Sequence, residues 1–143
     1  MSIRFRRFVM TTLESLAAIS ASSQQLVNLS SAFLGGSVLL VFGTTHISPP
    51  NTKGRSMYFL LIISWVFLLL SMFSGDSVLR HYLAATFAKT DQALMGIFSL
   101  ANGSYDDQLN YLRLAVFFFG VWLFFYMVWW VFYREPGNRS GTQ

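Results

Sequence analysis

Along the first third of the chain, apolar residues recur at Leu13, Leu16, Ile19, Leu26, Leu29 and Phe33, with Ser15, Ser20, Ser22, Ser23, Gln24, Gln25 and Asn28 between them. Much of that spacing is helical. It predicts an amphipathic N-terminal helix over residues 1–28, too polar on one side to sit in lipid. Thr11 followed three residues later by Glu14 fits a capping box at its start. From Leu29 the polarity falls away, and residues 29–45 predict a first membrane span. It is close to the lower limit of about 17 residues for a bilayer crossing, so a helix that starts in water could enter the membrane without a break. Ser31 and Gly35, like Ala32 and Gly36, lie four apart, a spacing of small residues that lets helix backbones approach closely.

Residues 46–56, with Pro49-Pro50, Lys53 and Arg55, read as a polar loop, and Ser56 as a cap for the next helix. Residues 57–74 carry no charge and predict a second span; Ser64 and Ser71, seven apart, share a face that should point into protein. Gly75 reads as a helix stop and Asp76-Ser77 as the start of an amphipathic segment over 75–112. Mid-bilayer, its Lys89 and Asp91 would cost about 2.5–3.5 kcal/mol each, so this segment belongs outside the hydrocarbon. It either packs with the N-terminal helix as a small bundle on the membrane or lies flat among the headgroups. Asp76 and Arg80, four apart, are spaced to pair. Asn102-Gly103 predicts a turn, and Ser104 with Asp106 and Asp107 a helix start. Residues 113–133 form a third span crowded with aromatics, whose Tyr126, Trp129, Trp130 and Tyr133 fit an interfacial belt. Arg134-Glu135-Pro136-Gly137 stops it, and 134–143 is a polar tail.

Composition strengthens this picture. Of 143 residues, 54% are hydrophobic and only 11% charged, against about 25% charged in soluble domains. So little charge cannot cover a water-facing surface, and lipid is the natural environment. The expected fold is therefore all-α and integral to the membrane, with about three transmembrane helices and amphipathic cytoplasmic helices. The predicted helix-packing positions are Ser31, Gly35, Gly36, Ser64 and Ser71. Three spans put Arg4, Arg6, Arg7, Arg80, Lys89 and Arg113 on one side and Lys53, Arg55, Arg134 and Arg139 on the other, which by the positive-inside rule makes the N-terminus cytoplasmic. The arginines before Ala17-Ala18-Ile19-Ser20-Ala21 have some character of a secretion signal, but Glu14 interrupts the apolar stretch and the N-terminus reads as retained.

Candidate chemistry is sparse. Cysteine is absent, His46 and His81 fall on opposite sides of the membrane, and the spans hold none of the charged residues that proton relays use. Neither a phosphate-binding glycine loop nor a metal-ligand cluster occurs, so the sequence predicts neither an enzyme nor a cofactor. The aromatic third span has two readings, a lipid-facing or core-packing helix, or a hydrophobic constriction built from several copies by Phe117, Phe118, Trp122 and Phe125. Asp106, Asp107 and Arg113 suffice as helix-end chemistry, or would ring a pore mouth. With a net charge of +4, Arg4, Arg6, Arg7, Arg80 and Lys89 either anchor the chain to anionic headgroups or bind an anionic ligand.

The run Gln24-Gln25-Leu26-Val27-Asn28-Leu29-Ser30-Ser31, continuing into Gly35-Gly36-Ser37 and followed by a hairpin with Ser64-Trp65, Ser71 and Gly75, resembles a loose group of small bacterial multi-span proteins. The layout is similar to membrane effectors of nucleotide-signalled anti-phage defence, in particular the channel effector of Hailong systems. That resemblance implies a homo-oligomeric channel in the bacterial inner membrane, controlled by a nucleotide or single-stranded oligonucleotide made by a partner nucleotidyltransferase. The expectation is thus a ligand-gated, pore-forming effector; its rival is a non-catalytic anchor or assembly subunit of a larger membrane complex.

Overall fold

The computed structural model describes residues 3–42 and 56–132, with side chains from Thr11 onward. Among these residues the chain forms three helices, α1 (Ile3–Phe42), α2 (Tyr58–Thr86) and α3 (Asp91–Phe132). All three are long and apolar enough to cross a membrane, and the all-helical integral-membrane architecture stands. At 1.5 Å per residue they run about 60, 43 and 63 Å. Each is therefore longer than a hydrocarbon core of about 30 Å is thick.

The helices pack along stripes that repeat every seven residues. Leu16, Ser23, Ser30 and Ser37 form the buried stripe of α1. Leu61, Ser64, Leu68, Ser71, Gly75, Val78 and Ala85 form that of α2, and Leu94, Ala101, Gln108, Ala115 and Trp122 that of α3. A strict seven-residue repeat keeps one stripe facing its partners, the pattern of left-handed coiled packing. Ser37 meets Trp65, Ser30 meets Ser71 and Ser23 meets Gly75, so α1 and α2 are antiparallel. Ser23 meets Gln108 and Phe33 meets Phe119, so α1 and α3 run parallel.

Two cores result. At the end carrying the α2–α3 turn, Leu16, Ala85, Leu94 and Ala101 cluster with Leu13, Tyr82, Ala88, Ile97 and Phe98. Toward the other end, Leu68, Leu112 and Ala115 cluster with Leu26, Phe33, Leu34, Trp65 and Phe67. The N-terminal part of α1 and both arms of the α2–α3 hairpin thus form a small bundle continuous with the spans. Residues of the 75–112 stretch thus pack against the N-terminal part of α1.

Several expected helix boundaries move. Thr11 does not cap a helix; α1 already begins at Ile3, and the Thr11 carbonyl accepts a bond from Ser15 Oγ at 2.9 Å. Gly75 does not stop α2 but sits buried in its middle, where the absence of Cβ admits the neighbouring helices. Asp76-Ser77 accordingly lies within α2, and Asn102-Gly103 lies within α3 with Asp106 and Asp107, well past its first turn. The actual turn falls at 87–90, inside the stretch read as one amphipathic segment. Thr90 caps α3, its Oγ1 accepting from the Ala93 N–H at 3.3 Å, and Asp91 is the acid of the first turn. Lys89 and Asp91 mark this connection. At the start of α2 the N-cap position belongs to Met57, while the Ser56 carbonyl accepts from the Phe59 N–H at 3.1 Å. The 46–56 loop up to Arg55, with His46, and the residues from Tyr133 onward lie outside the described residues.

Candidate functional site

The polar groups of the interior gather on one line between the helices. Ser23 Oγ donates to Gln108 Oε1 at 2.7 Å, and Gln108 Nε2 donates back to the Ser23 carbonyl at 3.0 Å. Ser71 Oγ donates to the Gln108 carbonyl at 3.1 Å, and Ser30 Oγ lies 3.4 Å from Ser71 Oγ. Further along, Ser64 Oγ donates to the Ala115 carbonyl and the Trp65 indole N–H to Ser37 Oγ, both at 2.8 Å. Each net bond of this kind contributes about 0.5–1.5 kcal/mol, but an unmade one costs more. The seam therefore specifies register as much as it adds stability.

Gly75 makes the centre of the seam possible. A Cβ there would stand 2.5 Å from Val27 Cγ2 and 2.6 Å from Gln108 Nε2, so only glycine lets both side chains in. The Ser23–Gly75–Gln108 group sits where the charge-free lengths of α2 and α3 end, at Asp76 and Arg113. It lies between the two cores. Chemically the group is a clamp: it offers hydroxyls and an amide, and neither activates a nucleophile.

The aromatic positions separate. Phe117 and Phe125 face outward, while Phe118 stacks on Phe67 with centroids 5.7 Å apart. Trp122 has no exposed surface; it packs against Tyr58, Phe119 and Tyr126. Its indole N–H is buried without a hydrogen-bond partner. A residue enclosed within one protomer cannot face a passage between copies, so Trp122 belongs to the core reading and not with Phe117 and Phe125.

Of the small residues, Ser64 and Ser71 are buried between helices as expected. Ser31, Gly35 and Gly36 are exposed, and a Cβ on either glycine would meet nothing within 4 Å. Ser31 bonds to the Val27 carbonyl of its own helix, with Met72 Sδ 3.8 Å away. Between α1 and α3, Ala32, Phe33, Gly36, Ser37 and Phe119 line an open groove of about 240 Å³. The small residues expected to pack thus split into a buried inner set that does and an exposed outer set in which Ser31 reaches only Met72 and a Cβ on Gly35 or Gly36 would meet nothing.

The candidate basic residues lie toward one end of the molecule. Arg4, Arg6 and Arg7 lie on the first turns of α1, and their side chains are outside the described ones. Lys89 is exposed in the α2–α3 turn, and Arg80 pairs with Asp76 at 2.7 Å on the outer face of α2. His81 Nδ1 lies 2.6 Å from the Ser77 carbonyl, an acceptor that requires the proton on that nitrogen. Among the described residues no group of three potential metal ligands occurs.

Ser23, Ser30, Ser37 and Gln108 escaped the sequence reading. The signal was present in the seven-residue spacing of the three serines, which continues back to Leu16. Gln108 stands alone among polar neighbours, and only the fold singles it out. No family model, no curated protein and no solved structure matches this chain.

Proposed function

We propose that this chain is a non-catalytic membrane effector that assembles from several copies into a channel, gated by an anionic ligand on its extramembrane bundle. One observation supports this reading above the others: each helix runs unbroken from the bundle into its span. A ligand that shifts the basic end of the bundle therefore acts on the same helices that cross the bilayer, with the Ser23–Gln108 clamp between the two regions. The protomer interior is filled by Leu61, Leu68, Ala115 and Trp122, so conduction requires a path between copies. A nucleotide or single-stranded oligonucleotide fits the basic residues as ligand, a partner nucleotidyltransferase would supply it, and the layout suits anti-phage defence in a bacterial inner membrane with the N-terminus cytoplasmic.

Native mass spectrometry together with ion flux from proteoliposomes tests this. The expected result is a defined homo-oligomer whose flux responds to added oligonucleotide, with the response altered by Arg6→Ala and Arg7→Ala while insertion is kept. A monomer without flux overturns it. Leu79, Leu83, Phe87, Met95 and Leu100 are exposed apolar residues near the α2–α3 turn, and they favour a second reading, an anchor subunit that binds another protein at this end. Co-purification of a monomer with one specific protein, and no conductance, would establish that alternative.

A further inference from the structure

The outward side of α1 differs in kind from the outward sides of its neighbours. On α2 and α3 the exposed residues at membrane depth are, Gly120 apart, large and apolar, including Phe59, Ile62, Phe73, Phe117 and Phe124, as lipid contact favours. On α1 the exposed positions Ala21, Gln25, Asn28, Ala32, Gly35 and Leu39 follow one another at steps of four and three. This is a second seven-residue stripe. Asn28 and Ala32 lie two positions either side of buried Ser30, about 200° round the helix in either direction. The second stripe is therefore diametrically opposite the one that packs inside the protomer.

Its composition suits neither water nor lipid. The chain carries no charge from Ser15 to Phe42, about 42 Å of helix, whereas the charge-free lengths of α2 and α3 after the loop, Tyr58–Gly75 and Leu114–Phe132, are only about 27 and 29 Å. The excess of α1 runs beside helices bearing Asp76, Arg80, Asp106 and Asp107, yet takes no charge itself. A helix interior disfavours glycine unless something must come close, and within the protomer nothing approaches Gly35. Small residues in a coiled repeat are what a closely packed second helix requires.

We propose that copies of this chain pack against one another through this outward stripe of α1, so that α1, not the aromatic α3, is the helix nearest the symmetry axis. The inference rests on the oligomeric reading above and names its surface. The occupant is a second copy because the polar members of the stripe are amides. Gln25 and Asn28 each carry both donor and acceptor, so the same surface rotated about an axis satisfies them. A charged partner would find nothing to pair with, and an acyl chain would leave Gln25 without a bond and Asn28 with only the 3.4 Å approach of Gln24 Nε2 on its own helix. Amides at such positions also select register and copy number in coiled assemblies.

The chain has no cysteine, so single cysteines report directly. Full-length protein in membranes would carry Asn28→Cys, Ala32→Cys or Gly35→Cys, with Val66→Cys on α2 and Phe117→Cys on α3 as exposed controls at similar depth. A disulfide needs Cα atoms within about 7 Å, so mild oxidation reads close packing. The expected result is several-fold more covalent dimer at the α1 positions than at the controls. Dimer at the controls but not on α1 overturns this surface and leaves the oligomeric reading in place. Equal dimer at every position also overturns it, since collision then explains the yield. No dimer anywhere, with a monomeric native mass, removes both.

Discussion

Ser23 and Gln108 exchange two hydrogen bonds between α1 and α3, one from the serine hydroxyl to the amide oxygen at 2.7 Å and one from the amide nitrogen to the serine carbonyl at 3.0 Å. Both residues are buried. Ser23→Ala strands the Gln108 oxygen without its donor and should cost about 1–3 kcal/mol. Gln108→Leu leaves the Ser23 hydroxyl with only a 3.5 Å approach to the Gly75 carbonyl. The double variant should be less damaging than the sum of the two, by about 0.5–3 kcal/mol. Denaturant unfolding in mild detergent, followed by helical circular dichroism, checks this; strictly additive losses would refute the coupling.

Glycines on the two sides of the protomer should respond in opposite ways. Gly75→Ala puts a methyl into Val27 and Gln108, and overpacking of this kind costs about 1–3 kcal/mol. Gly35→Ala meets nothing within 4 Å and should stabilise the isolated protomer by about 0.5–1 kcal/mol through helix propensity. Unfolding of both variants under monomerising detergent conditions measures the contrast.

Trp122 fills the space between the helices with an indole whose N–H has no hydrogen-bond partner. Trp122→Phe removes that unmet donor while keeping an aromatic ring, and should change stability by no more than about 1.5 kcal/mol. Trp122→Ala opens a cavity and should cost about 3–5 kcal/mol. Comparable losses for the two, in the same unfolding assay, would mean that the N–H has an essential partner.

Leu16 anchors the core at the α2–α3 turn, where it packs with Ala85, Leu94 and Ala101. Leu16→Ala should loosen that end alone. Amide exchange should rise over the first turns of α1, the end of α2 and the start of α3, while protection around Ser64 and Ala115 persists. A uniform rise throughout the chain would show that the two cores unfold as one.

Residues 57–74 and 113–133 were legible as spans because about eighteen or more consecutive residues that are mostly apolar, and uncharged but for Arg113 at the start of the second, have only lipid or a protein core to face. The paired serines of α2 were legible too, since Ser64 and Ser71 break an otherwise apolar run at a coiled-packing interval. The breaks at Gly75 and Asn102-Gly103 were misread for a common reason. Glycine and asparagine are weak helix formers, but that preference is small beside packing: at Gly75 the close approach of Val27 and Gln108 requires glycine, and Asn102 and Gly103 lie on the exposed face of a helix held by its opposite side. The turn at 87–90 lacks both glycine and proline, and its only local signal was the Thr90 cap followed by Asp91.

By itself, the sequence determined that the chain is helical, belongs in a membrane and has about three crossings, because hydropathy and charge act residue by residue and need no partner. Tertiary structure decided which side of each helix is inside. It alone brought Ser23, Gly75 and Gln108 together from three helices, enclosed Trp122, and left the second stripe of α1 uncovered. Those outcomes depend on how helices distant in sequence fit against one another, and shape complementarity between separate segments is not written at any single position.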